Sequence, residues 1–320
     1  MEDLFSLNSK LKLEEYEFSS DDFELASESS KENFMTKTPP TSYLQDALRR
    51  LKENKVAMLA LVLLGLLVFL IIFGPYFNSY SPTKIQAKTK DITPNAQFWF
   101  GTDNAGRDIF TRVFYAGRTS LIFGLAGALI STVVGLLYGA ISGYVGGAVD
   151  IVMMRILEIL ASLPYLLVVI VLQIRLETRN IWTLLLALTI TGWTGTARIV
   201  RAEVLRIKAQ EYVLAAKTLG VSSWKIITKH LIPNAMPILI VGITFDVPGF
   251  IFSEAFLSYL GIGLQSPATS WGIMCSEATS TFMYLPHQMF FPSLMIAITM
   301  LCFTLLGDGL RDALDPKLRK

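Results

Sequence analysis

The chain has 320 residues, 52% of them apolar, and its 28 Lys and Arg against 26 Asp and Glu leave a formal net charge of +2. The apolar residues fall in long blocks rather than alternating, which places the chain among polytopic membrane proteins and not among soluble domains. A near-neutral balance argues against nucleic acid as a partner. The two cysteines, Cys275 and Cys302, argue against a disulfide framework or a metal quartet, because the second lies inside an apolar block. His230 and His287 are too far apart in sequence to suggest a ligand pair, and no phosphate-binding loop is present, so the chain itself is not expected to bind ATP.

Residues 1–40 are acidic and Ser-rich without a sustained period, and are expected to form a disordered tail. They have neither the basic start nor the apolar stretch of a signal peptide. Residues 41–55 predict an amphipathic helix, with Leu44, Leu48 and Leu51 on one face and Arg49, Arg50, Lys52 and Lys55 on the others. Beside a span, such a helix is expected at the membrane interface, with the N-terminus inside; a solvated linker helix is the alternative. The first span, within 56–77, runs from Val56 to Phe73, about long enough for a hydrocarbon core of ~30 Å, and Gly74-Pro75 closes it. Residues 78–117 read as an external loop containing GTDNAGRD. Its Lys84, Lys88, Lys90, Arg107 and Arg112 strain against the rule that basic residues stay inside. Asp103, Arg107, Asp108, Arg112 and Arg118 could form an ion-pair network at the entrance to the next span.

Residues 118–308 predict a membrane core. The second span, Arg118 to Ile141, is dense in Gly and Ala, which lets helices approach closely in lipid. The third, Met153 to Ile174, pairs Arg155 with Glu158 on one face and is expected to kink at Pro164. The fourth covers Ile181 to Ala197. The fifth, Met236 to Leu257, carries Pro237, Pro248 and Gly249 and is expected to be interrupted. It also holds Asp246, an intramembrane carboxylate costing at least ~2.5 kcal/mol unless it faces protein or water. Its readings are a hydrogen-bonded structural Asp or a wall of the translocation path that favours an ammonium group. Gly261, Gly263, Pro267 and Gly272 mark a turn-rich external segment, with Trp271 at the interfacial level. The sixth span, Met289 to Leu306, leads to a tail at 309–320 whose Arg311, Lys317, Arg319 and Lys320 belong inside, giving an even number of spans and both termini cytoplasmic.

Between the fourth and fifth spans, residues 198–234 hold Arg198, Arg201, Arg206, Lys208, Lys217, Lys225 and Lys229 against Glu203 and Glu211 only, the mark of a cytoplasmic loop. Within it, EYVLAAKTLG predicts a short helix stopped at Gly220 in the αL conformation. Ser222 or Ser223 can cap a second helix that ends by Pro233. Such a helix–Gly–helix elbow either docks into another protein or packs on its own membrane domain.

EYVLAAKTLG followed by KHLIPN resembles the "EAA loop" of ABC importer permeases, with Glu211, Ala215, Ala216 and Gly220 at the motif's spacing. FGTDNAGRDIFTRVFYAGRTSLIFG (residues 100–124) and EAFLSYLGIGLQSPATSWGIM (residues 254–274) resemble the dipeptide and oligopeptide branch of that family, specifically its "C" permease subunit. The resemblance implies an all-α type I importer fold with about six spans. It implies a coupling helix that meets an ATPase through Glu211, Tyr212, Ala215, Ala216, Gly220 and Ser222. It further implies a homologous second permease, two ABC ATPases that hold the ATP and magnesium, and an extracytoplasmic binding protein received near Gly261, Gly263 and Trp271. The substrate class is peptides, with nickel chelates or haem as alternatives in the same architecture. Asp246 departs from the usual apolar residue of the branch. A proton-coupled carrier using Asp246 is the competing class; no Ser-His, paired-Asp or HExxH constellation suggests an enzyme.

Overall fold

The computed structural model describes residues 43–176, 180–265 and 268–315. The expected tail of residues 1–40, the middle of the turn at 175–180, Pro267, and the basic end with Lys317, Arg319 and Lys320 lie outside the described residues. The chain divides into two compact units, Met1–Gln45 and Asp46–Lys320. The first falls almost wholly outside the described residues.

Helix α1 (Tyr43–Glu53) leads into α2 (Lys55–Phe73), whose start is capped by Asn54, its side chain accepting from the backbone N–H of Val56 and Ala57 at 3.1 Å each. Within the second unit Ala47 and Leu51 of α1 are buried, and Leu51 clusters with Ala57 and with Ala313 near the C-terminal end of the last helix. The expected interfacial face is therefore divided: Leu51 packs on the protein, while Leu48 stays 57% exposed.

After two short 3-10 turns, Gly74–Tyr76 and Ala87–Thr89, comes α3 (Ile109–Val145), the longest helix described. It begins nine residues before the expected start at Arg118. Asp108 is the reason: its Oδ2 accepts from Thr111 N at 2.8 Å and from Thr111 Oγ1 at 2.6 Å, a full N-cap. At 37 residues the helix is about 55 Å long, well beyond a ~30 Å hydrocarbon core, so its ends project past the apolar layer.

The remaining helices are α4 (Gly147–Ser162), α5 (Tyr165–Leu176), α6 (Ile181–Gly192), α7 (Thr194–Lys208), α8 (Glu211–Thr218), α9 (Ser223–Ile226), α10 (Ile232–Tyr259), α11 (Trp271–Ala278) and α12 (His287–Leu314), with one π turn, Ile227–Leu231, between α9 and α10. No strand occurs among the described residues. Four helices are long and apolar enough to cross a membrane, and six spans result if each of two bent pairs counts as one. Those pairs are α4–α5, bent by 82°, and α6–α7, bent by 41°. Pro164 thus does more than kink the third span: with Leu163 it makes a full break, because a proline disfavours helical geometry in the residue before it.

The fifth span departs from expectation the other way. α10 runs unbroken through Pro237 and Pro248, so no interruption opens in mid-membrane. Nor does the elbow's second helix end by Pro233. That proline lies inside one 37-residue rod formed by α9, the π turn and α10, two residues past the end of the π turn, where the local change in hydrogen-bond register accommodates its missing N–H.

α3 is the central post because its small residues admit neighbours on several sides. A Cβ at Gly124 would meet Ile251 Cγ1 at 2.6 Å, one at Gly127 would meet the Phe250 ring at 2.5 Å, and one at Gly143 would meet Arg201 O at 2.9 Å. Gly139 lies tighter still, against Ala197 O. These contacts seat α10 and α7 directly against the α3 backbone, as expected where packing replaces hydrophobic drive.

Candidate coupling site

α7 delivers the chain to the elbow. Its Val200, Val204 and Ile207 are buried with Ala140 of α3, Val213 of α8, and Ile226, Ile227 and Leu231 beyond it, so one apolar cluster underlies both arms. α8 itself buries only Val213; Tyr212, Leu214 and Leu219 are 47%, 52% and 82% exposed, and Trp224 on α9 is 66% exposed. Glu211, Ala215 and Ser222 are exposed and Ala216 is half-buried.

Gly220 sits between the arms at φ +76° and closes a Schellman stop: Val221 N donates to Ala216 O at 3.1 Å, Gly220 N to Lys217 O at 3.1 Å, and Leu219 N to Ala215 O at 3.0 Å. Nothing lies within 4 Å of an added Cβ there, so the glycine answers to backbone conformation and not to crowding. Ser222 occupies the N-cap position of α9 but makes no side-chain capping bond; its carbonyl accepts from Ile226 N at 3.0 Å. The Tyr212 ring lies 6.2 Å from that of His230, closing the angle between α8 and the π turn. Chemically, the elbow offers an exposed apolar edge with one acid, Glu211, at the start of α8.

Two carboxylates near this end were not singled out from sequence or were left open. Asp150, in the first turn of α4, accepts from Arg201 Nε and Nη2 of α7 at 2.5 Å each, and from Ser142 Oγ at 2.5 Å. An acid just after a Gly-Gly turn is a usable sign of a helix start, but nothing local names Arg201 as its partner. Asp246, on α10, is partly buried, and Thr196 Oγ1 donates to its Oδ2 at 3.5 Å. Arg155 and Glu158 do pair, at 2.6 Å, on an exposed face of α4 with side-chain exposures of 74% and 55%.

At the other end of α3 the expected ion-pair network is only partly made of the expected residues. Asp103 Oδ2 accepts from Arg107 Nε and Arg112 Nη1 at 2.7 Å each, and Glu277 of α11 accepts from Arg107 at 2.8 Å and Arg112 at 2.5 Å. Glu277 lies 170 residues from Arg107 and gave no local signal. Asp108 is the helix cap described above. Arg118 stands apart, donating to the carbonyls of Ile71 at 3.1 Å and Ile72 at 2.8 Å and lying over the Tyr76 and Tyr115 rings.

The expected docking residues divide in the same way. Trp271 is fully buried, so it is not available to a partner. Gly263 is buried against Ser258. Gly261 is exposed, at φ +76°. The carboxylate that orders this region is Glu254: fully buried, it accepts from Ser258 Oγ at 2.8 Å and Ser120 Oγ at 3.4 Å, while Trp271 N donates to Ser120 Oγ at 3.2 Å.

Residues 135–320 match the family model described as the binding-protein-dependent transport system inner membrane component, and residues 42–97 match the N-terminal transmembrane domain of oligopeptide transport permease C. The chain is 48% identical over 300 residues to the dipeptide transport system permease protein DppC of Bacillus subtilis, covering 93% of each chain. It is 46% identical over 279 residues to the oligopeptide transport system permease protein OppC of the same organism, covering 87% of this chain and 91% of the relative. With OppC of Haemophilus influenzae it shares 43% over 280 residues, 87% of this chain and 90% of the relative. These matches set aside the stand-alone carrier. An all-helical multi-pass membrane protein with an exposed elbow, matched over more than half its length, the chain belongs to the binding-protein-dependent inner membrane components, the permeases of ABC importers.

Proposed function

We propose that this chain is the C-type permease subunit of an ATP-driven importer of dipeptides or oligopeptides in a bacterial cell membrane. It forms half of the translocation path with a homologous second permease. Two ABC ATPases lie beneath the permease pair and hold the ATP and magnesium, one of them docked on this chain's elbow, an extracytoplasmic binding protein delivers cargo at the opposite end, and both termini are cytoplasmic. The chain itself catalyses no covalent step. The observation that carries this reading is the elbow: a short helix held by a single buried side chain, Val213, with Tyr212, Leu214 and Leu219 presented outward. That is the form of an arm seated in another protein and not of a loop folded onto its own domain.

In this reading Glu211, Tyr212, Ala215 and Ala216 meet the ATPase, Gly220 sets the angle between the arms, and Ser222 starts the second arm. Of the docking candidates for the binding protein, Gly261 alone stays on the exposed surface. The names of the relatives favour peptides over nickel chelates or haem.

The test is uptake of labelled di- and oligopeptides of increasing length, with and without this chain. Uptake that requires the chain and stops on ATP depletion supports the reading, and the length profile identifies the cargo. Unchanged peptide uptake alongside lost nickel or haem uptake replaces the cargo and leaves the elbow's role standing.

A further inference from the structure

α4 and α5 form a limb bent by 82°, in which α5 is seated in the main apolar core through fully buried Val169, while α4 is attached to the rest of the chain at few points. In α4 only Asp150 and Leu157 are buried, while Ile151, Val152 and Ile159 are 67%, 58% and 60% exposed. Tyr138 Oη adds one bond, donating to Met153 O at 2.9 Å. Asp150 is therefore the limb's polar anchor, and what it holds is the helix that carries the elbow. Arg201 grips it through two parallel N–H donors, the geometry that fixes orientation as well as distance. Ser142, fully buried on α3, donates to the same carboxylate. Lys208, at the last turn of α7, donates to Tyr144 O at 2.5 Å and lies 5.5 Å from the centre of that ring, tying the end of α7 to the same corner. The corner itself turns on Gly146 and Gly147, both with positive φ.

We infer that Asp150 and Arg201 are the positioning pair through which displacement of the elbow reaches the α4–α5 limb. The inference rests on the permease reading above. α8 is joined through Val213 to the apolar cluster of α7, α7 is joined through Arg201 to Asp150, and Asp150 opens α4. A push on the elbow thus travels along oriented contacts to α4, which is otherwise exposed on most of its surface. The pair stays closed throughout and acts as a strut.

The test uses the whole complex, with its ATPases, in lipid discs, and a spin label on Val171→Cys of α5, a site 63% exposed. Native Cys275 and Cys302 are 7% and 2% exposed and leave the label its site. Trapping with ATP, magnesium and vanadate is expected to change the label's spectrum in the otherwise unsubstituted complex. In Asp150→Asn and in Arg201→Gln the change should shrink at least about threefold while ATP hydrolysis continues, and the swap Asp150→Arg with Arg201→Asp should restore part of it. The inference is overturned by a label that never responds, by a response unchanged in the single variants, or by variants that lose hydrolysis or shed the ATPases. Peptide uptake is not the readout, so a complex that ignores peptides refutes the proposed cargo and leaves this result to stand by itself.

Discussion

Trp271 donates its indole N–H to the carbonyl of Val113 at 2.9 Å across 158 residues of sequence, and neither residue is exposed. The largest fully buried side chain among the described residues therefore ties the first turns of α3 to α11 instead of facing a partner. Gly117 lies beside it, where a Cβ would meet Trp271 Cζ2 at 2.8 Å.

Trp271→Ala is expected to destabilise the permease by roughly 3–5 kcal/mol, the range for emptying a large buried aromatic site. Trp271→Phe keeps most of the volume and gives up one hydrogen bond of about 1 kcal/mol. Thermal unfolding of the purified complex ranks the two. Binding-protein affinity should be unaltered in Trp271→Phe, since no surface atom changes; a weakened affinity would return Trp271 to the docking face.

Gly220→Val places a β-branched residue at φ +76°, a strain of about 1–2 kcal/mol or more with no steric clash to confuse it. Asn tolerates that region, so Gly220→Asn should be mild. The expected outcome is a fall in peptide taken up per ATP hydrolysed in the Val variant, near-normal coupling in the Asn variant, and normal folding in both. Equal coupling in Val and wild type would remove the elbow's angle from the mechanism.

Asp246 sits on a face of α10 where Gly242 and Gly249, about one turn to either side, have nothing within 4 Å of an added Cβ. Among the described residues Thr196 is its hydrogen-bond partner, at the long distance of 3.5 Å. A membrane carboxylate so placed faces either the helix bundle or a watered path and not lipid, and substitution separates the two. If Asp246 lines the path, Asp246→Asn is expected to reduce the preference for peptides with a free amino terminus over their N-acetylated forms by about fivefold, the size of one partly solvated ion pair of about 1 kcal/mol. Competition uptake with paired free and acetylated peptides measures it. An unchanged ratio with normal expression would make Asp246 a structural residue.

Much of this protein is decided by local sequence. Apolar blocks specify the membrane helices, because lipid leaves the backbone no other partner. Gly220 specifies the elbow's stop because an αL residue is needed after α8. The pairing of Arg155 with Glu158 follows from spacing on one helix alone. Partners remote in sequence were a different matter: Glu277 completes the cluster of Asp103, Arg107 and Arg112, Arg201 holds Asp150, and Val113 receives Trp271, each choice made only when helices far apart in the chain come together. The prolines show the limit most plainly. Pro237 and Pro248 read as interruptions, yet α10 runs through them, because neighbours packed on α3 and α12 hold the rod where isolated backbone would bend. Pro164, identical in type, lies in a break of 82°: it disfavours helix at Leu163, and α4 there has few buried contacts to oppose that preference. Residue type set the possibility of a bend at each proline, and tertiary packing decided which of them bent.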